Sequence, residues 1–274
     1  MKIQRIFSKN AAFQKFEVLK TNRNKRHRYH EFLVEGVRNI NEAVKNGWKI
    51  NSFLYSFEKP LSGWAQELLA HTDTDTNFEL TAPLMDALSG KENPSELLAL
   101  AAMRDEQDDR INYADCPVLA LFDRPSNKGN LGTLLRSCDA LGVNGLILSG
   151  HSVDIYEPDV ITSSMGSFFK VPFMRLSGND EIDAYIRSLR VQFPGFKVIG
   201  TTAHRQTPVY DVDLTTPVLF LIGNETDGLN QHLCEICDAS VTIPMSEGTS
   251  ASSFNVGCAA TVLFYEAMRQ RRVK

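Results

Sequence analysis

Three short stretches of this sequence place polar side chains where a buried framework would hold them. The first spans residues 243–265. Ile243, Pro244 and Met245 read as the end of a strand stopped by proline. A hydroxyl-rich loop follows, and Ser253, Phe254 and Asn255 lead into an apolar helix. Free N–H groups at the start of a buried helix, beside hydroxyls, make a polar site. Ser252 and Ser253 are read as its N-caps, and Arg269, Arg271 and Arg272 suit its C-terminal dipole. Gly257, Cys258, Ala259 and Ala260 keep the first turns thin, so another element or a ligand can come close. The second stretch is Asn130-x-Gly132-x-x-x-Arg136, on a helix after an apolar strand. The third is residues 223–228, where Glu225 follows a buried strand and is costly there unless paired. Taken singly, each stretch is also explained by ordinary capping and solvent-facing charge. Asn130 would cap its helix, Arg136 would be a surface cation, and Asn224 or Asp227 would cap the helix after Glu225. No metal-ligand spacing, P-loop or G-x-G-x-x-G signature appears, and the single C-x-x-C at Cys234 and Cys237 has no second pair.

The elements that must position these residues follow from hydrophobic periodicity. Residues 118–122, 145–148, 168–173, 197–200, 218–222 and 241–243 read as apolar strands. Helices are predicted over 130–141, 182–191 and 228–237. In the last helix Val256, Ala259, Ala260, Leu263 and Ala267 recur at three- and four-residue steps. This alternation implies an α/β fold with a mainly parallel sheet covered on both faces, binding ligands at the carboxyl ends of its strands. All three polar stretches lie at such ends. Ahead of them, helices over 13–19, 37–44 and 61–70 and strands over 32–36, 50–55, 78–81 and 97–102 predict a small α/β unit. Residues 21–30 read as a turn or a helix extension. A charged run from Arg104 to Arg110 marks a linker. The expected division is therefore 1–103, a linker over 104–117, and 118–274.

The chain has 274 residues and a net charge of −4, yet its first thirty residues hold nine of the cations against Glu17 alone. Arg23, Lys25, Arg26 and Arg28 form the densest part. A solvated terminus and a phosphate-binding surface account for this patch equally well. No apolar run is long enough to span a membrane, and no signal segment follows the basic start. Five scattered cysteines fit a reducing cytoplasm.

Taken together, the three stretches resemble the SpoU family of RNA ribose 2′-O-methyltransferases, within the SPOUT superfamily. The motifs are Asn130-x-Gly132-x-x-x-Arg136; Ile222-Gly223-Asn224-Glu225 through Gly228 and Leu229; and Ile243-Pro244-Met245 with Ser253-Phe254-Asn255-Val256. Residues 157–167 look like the family's linker before its next strand. Thr226 and Phe254 depart from the glycine and leucine many members carry. Residues 32–41, with the basic segment before them, resemble more loosely the small RNA-binding domain often fused ahead. The resemblance implies a SPOUT trefoil knot in 118–274 and RNA substrate binding in 1–103, with Arg23, Lys25, Arg26, Arg28 and Arg136 on RNA. It implies S-adenosylmethionine bound by Thr201, Thr202, Leu221, Ile222, Gly223, Ile243, Met245, Ser253, Phe254 and Ala259. His204 lies in one of these loops and is read as facing solvent. Asn130, Arg136, Glu225, Ser253 and Asn255 would form the catalytic site without a metal. In this family the arginine has been viewed as the general base; guanidinium is effectively always protonated, so Arg136 is read first as a clamp on the RNA phosphate, with that phosphate or an arginine strongly perturbed in the complex accepting the proton. A homodimer paired through the knotted domain is implied too. The RNA is rRNA or tRNA. Two other readings stand: a catalytically silent RNA-binding or ribosome-assembly relative, and a Rossmann-type oxidoreductase, against which the missing glycine fingerprint argues.

Overall fold

The computed structural model describes residues 2–106, 110–203 and 207–272, so His204 lies outside the described residues. The chain divides into two units, Met1–Arg104 with Asp154–Lys170, and Asp105–Val153 with Val171–Lys274.

The first unit runs β1 (Lys2–Ile6), α1 (Ala11–Thr21), α2 (Arg23–Tyr29), β2 (Glu31–Glu35), α3 (Val37–Lys45), β3 (Ile50–Ser56), α4 (Gly63–His71), β4 (Thr76–Leu80), α5 (Ala82–Leu88) and β5 (Leu97–Ala102). Its five strands are ordered β1-β4-β3-β5-β2. β1 and β3 run parallel to β4, while β5 is antiparallel to β2 and β3. Alternation along β2 sends neighbouring residues to opposite faces. Leu33 joins an apolar layer with Phe13, Phe16, Leu19 and Leu100. Phe32 instead meets Trp48, Tyr156, Phe168 and Phe169 in an aromatic cluster. Two elements carry too little periodic signal to be expected from sequence. β1 is an edge strand with only Ile6 buried, held by pairing to β4 and by Arg5 on Glu79 at 2.6 Å. α5 is seven residues long and opens with proline in its first turn.

Residues 21–30 are neither a turn nor an extension of α1. Asn22 has extended φ and ψ, ends α1, and accepts a hydrogen bond from Lys25 N, so α2 is a separate capped helix.

The second unit runs β6 (Val118–Asp123), α6 (Lys128–Leu141) and β7 (Gly145–Ser149). Residues 154–170 then belong to the first unit and form α7 (Pro158–Ser164) and a 3-10 turn at Ser167–Phe169. The second unit resumes with β8 (Phe173–Leu176), α8 (Asn179–Gln192), β9 (Lys197–Thr201), β10 (Thr207–Pro208), β11 (Val218–Ile222), α9 (Gln231–Ile236), β12 (Ala239–Thr242) and α10 (Val256–Arg272). All seven strands are parallel, in the order β10-β12-β9-β11-β6-β7-β8. The strand expected over 168–173 is thus corrected to Phe173–Leu176. Phe168 and Phe169 are both buried on the aromatic cluster, which a tight turn allows and a pleated strand, sending them to opposite faces, does not.

Ile111 and Tyr113, within the stretch read as a linker, pack on the second unit's core. Gly145 makes this fit: a Cβ there would stand about 2.4 Å from Ile111 Cδ1. In a parallel sheet of this kind a ligand site is expected at the carboxyl ends of the strands.

Candidate active site

A cavity of about 810 Å³ opens at that edge of the second unit. Its walls come from the loops after β9, β11 and β12 and from the start of α10. Thr201 and Thr202 line it at the end of β9, and Gly223 and Glu225 after β11. Ile243 and Met245 line it after β12, followed by Ser253, Phe254, Asn255 and Ala259. Asn130 reaches it from α6. Leu221 and Ile222 are not among the lining residues. They are buried in β11, and the Leu221 carbonyl accepts a hydrogen bond from Thr201 Oγ1 at 2.8 Å. Arg136 is exposed and is not in the wall either. It lies six residues after Asn130 on one helix, so about 100° per residue turns it well away.

Ser240 and Thr242, which the sequence does not single out, also line the cavity, as do Leu229 of the second motif and Leu263 of the periodic helix face. Val256, Ala259 and Leu263 share one face of α10, and that face looks into the cavity. Ala260, Phe264 and Ala267, on a neighbouring face, are buried.

The polar core of the site is a one-way chain of hydrogen bonds. Glu225 accepts from Ser126 N at 3.1 Å, Ser126 Oγ at 2.8 Å, Asn127 N at 3.2 Å and Asn130 Nδ2 at 3.2 Å. An ionised carboxylate only accepts, so Asn130 must donate its amide there and turn its Oδ1 outward. That oxygen accepts from Asn255 Nδ2 at 2.9 Å. Asn255 Oδ1 in turn accepts from the N–H groups of Gly257 and Cys258 at 2.9 and 3.4 Å. The N-cap of α10 is therefore Asn255, not Ser252 or Ser253. Asn130 likewise does not cap α6. The helix begins at Lys128, Asn127 caps it, and the Asn130 side chain is left for the chain of contacts.

Burial alone would raise the Glu225 pKa. The hydrogen bonds from Ser126, with a further one from Asn130, outweigh it and hold the carboxyl below its ordinary value. A carboxylate with a depressed folded-state pKa stabilises above its unfolded value and loses that contribution as pH falls through the folded one. The stability gap between the parent chain and Glu225→Gln should therefore be full at neutral pH and narrow progressively as pH falls below the ordinary glutamate range. Unfolding midpoints against pH test this, and a gap unchanged at pH 3.5 would refute it.

The basic segment separates into two roles. Arg28 is exposed, and Arg23 and Lys25 are partly so. Arg26 is a correction to the expected RNA-binding set, because its side chain is wholly buried. Its Nε donates to Asp154 at 2.7 Å, its Nη2 to Glu157 at 2.8 Å, and its Nη1 to the Leu19 carbonyl at 3.0 Å. Among the described residues no helix is long and apolar enough to cross a membrane.

Fold and site together define an α/β protein with a cavity of small-ligand size at the carboxyl ends of a parallel sheet. Residues 117–265 match the SpoU rRNA Methylase family, and residues 10–99 match the SpoU L30e-like domain. The chain belongs to the SpoU rRNA methylase family. It is 42% identical over 268 residues to a 23S rRNA (uridine(2479)-2′-O)-methyltransferase of Streptomyces viridochromogenes, covering 98% of this chain and 93% of that one. A 23S rRNA (guanosine(2553)-2′-O)-methyltransferase of Bacillus subtilis is 26% identical, covering 94% of this chain and 96% of its own. Among solved structures, the SpoU methyltransferase AviRb from Streptomyces viridochromogenes, in complex with AdoMet, is similar with a TM-score of 0.88. It is 40% identical and covers 97% of this chain and 100% of that one.

Proposed function

We propose that this protein is an S-adenosylmethionine-dependent methyltransferase acting on a ribose 2′-hydroxyl of 23S rRNA. The observation that carries the reading is the Glu225–Asn130–Asn255 chain, which joins residues from all three sequence motifs on one cavity wall.

The cavity suits the cofactor. Its volume of about 810 Å³ lies within the range of small-ligand sites. Ile243, Met245, Leu229 and Leu263 offer an apolar wall for a purine, and Thr201, Thr202, Ser240 and Thr242 offer hydroxyls. The ionised Glu225 favours a cationic ligand. Thr201, Thr202, Gly223, Ile243, Met245, Phe254 and Ala259 would hold the cofactor. When bound, it supplies a methyl group activated by a sulfonium.

The chain's own residues do the rest. Asn130, with both ends of its amide fixed, and Asn255 orient the ribose hydroxyl. Ser253 is exposed beside them and gives the incoming ribose a hydroxyl partner. Arg136 clamps an RNA phosphate, and that phosphate takes the hydroxyl proton. Because Arg136 faces away from its own cavity, the reading includes a homodimer in which the partner copy brings this residue to the site. A trefoil knot in the second unit, a cytoplasmic location and independence from metals belong to the same reading. Residues 1–103 bind the RNA.

The test is transfer of labelled methyl from S-adenosylmethionine to 23S rRNA, with the product mapped as a 2′-O-methyl ribose, in the presence and absence of chelator. RNA binding without transfer would point instead to a silent RNA-binding relative.

The N-terminal reading makes its own prediction. Arg23→Ala, Lys25→Ala and Arg28→Ala combined should weaken RNA binding and flatten its dependence on salt by about two to three counterions. S-adenosylhomocysteine affinity and melting temperature should hold. An unchanged salt slope would return these cations to a solvated surface.

A further inference from the structure

We propose that Asp123 is a positioning residue for methyl transfer, pinning the loop that carries Glu225 against the loop that leads to Asn130. The inference rests on the methyltransferase reading above. Asp123 ends β6 and is fully buried. A buried carboxylate is tolerated only where it is paired and hydrogen-bonded, and this one is. Ser149 Oγ, at the end of β7, donates to it at 2.9 Å. Asn230 donates from its backbone N at 2.9 Å and from Nδ2 at 3.1 Å. Arg124 Nε lies 3.2 and 3.1 Å from its two oxygens, and Nη2 lies 3.0 Å from Oδ2.

These donors hold residues 223–230 at both ends. Asn230 is one anchor, and its Oδ1 also caps α9 by accepting from Leu233 N at 3.0 Å. Arg124 provides the other. It sits in the left-handed region at φ 46°, and its carbonyl accepts from Asn224 Nδ2 at 2.6 Å. The segment between the anchors is closed on itself. Asn224 and Gly228 exchange both backbone hydrogen bonds, at 2.9 and 3.1 Å. Gly223 lies so close to Gly228 and Leu229 that an added Cβ would stand 2.6 Å from their backbone. Such a closed loop moves as one piece, and Glu225 moves with it. Asp123 does not line the cavity. It acts through Arg124 and Asn230, and fixes where Glu225 meets Ser126 and Asn130.

The experiment compares the parent chain with Asp123→Asn and with Asp123→Asn/Asn230→Asp. Melting temperature, S-adenosylhomocysteine affinity, and kcat and KM for 23S rRNA are measured. An amide at 123 turns a donor toward donors, so kcat should fall about ten- to hundredfold, while KM for RNA stays within about twofold. The double variant returns a carboxylate to the same hydrogen bond and keeps an aspartate cap on α9. It should recover most of the lost kcat. Should Asp123→Asn fail to fold, Asn230→Ser keeps a capping hydroxyl, removes the Nδ2 donor, and should still lower kcat by about threefold or more. A normal kcat in whichever of these single variants folds, or a double variant that folds without recovering, would overturn the proposal. A parent chain that binds S-adenosylhomocysteine but transfers no methyl to 23S rRNA would sink the parent reading, and this proposal with it.

Discussion

Arg26→Ala should cost the first unit about 3–5 kcal/mol of stability, the range for breaking one side of a buried ion pair. The reason lies in what is left behind. Asp154 is almost fully buried, and it receives Arg26 Nε at 2.7 Å. Glu157 receives Nη2 at 2.8 Å. Without the guanidinium, a carboxylate is stranded in the interior and the Leu19 carbonyl loses its donor at 3.0 Å. Lysine should not rescue it, because one ammonium cannot reach two carboxylates and a carbonyl along the directions a planar fork allows. Arg26→Ala/Asp154→Asn/Glu157→Gln should recover part of the loss by removing the stranded charge. Denaturant unfolding of the four proteins measures this. A loss under about 1 kcal/mol in Arg26→Ala would show that the pair is worth no more than a surface contact.

Arg136→Ala should leave the fold and S-adenosylhomocysteine binding intact and cut methyl transfer about ten- to hundredfold, the loss of one charge-assisted hydrogen bond. The contrast with Arg26 is physical. Arg136 is exposed on α6, so its removal strands nothing. Arg136→Lys keeps the charge but not the bidentate fork, and should fall between the two. A hybrid dimer of Arg136→Ala and Asn130→Ala protomers has one complete site if Arg136 is delivered by the partner copy, and should regain a substantial fraction of parent activity. No recovery in such hybrids would place Arg136 on its own protomer's site. Near-normal turnover in Arg136→Ala would reduce it to a surface cation.

The sequence by itself determined the strand and helix alternation, because burial on both faces makes short apolar runs and burial on one face makes a 3.6-residue period. The run at 218–222 matches β11 to the residue, and the parallel sheet follows from that alternation. The order of the family motifs also groups Asn130, Glu225 and Asn255, and the fold brings the three onto one cavity wall. Tertiary structure alone decided what each side chain meets. Nothing local marks Arg26 as buried among Arg23, Lys25 and Arg28, since its carboxylate partner Asp154 is 128 residues away. Sequence pattern reads Ser252 and Ser253 as caps of the last helix. In the fold Asn255 is the cap and also lines the cavity, because its amide has two ends and Asn130, 125 residues away, takes one of them. The role of Asp123 was equally hidden: a carboxylate closing an apolar strand reads as an end in sequence, and becomes a joint only when Ser149 and Asn230 are folded onto it. Periodicity records which face of an element is dry, whereas hydrogen-bond partners are set by which loops the sheet order brings side by side.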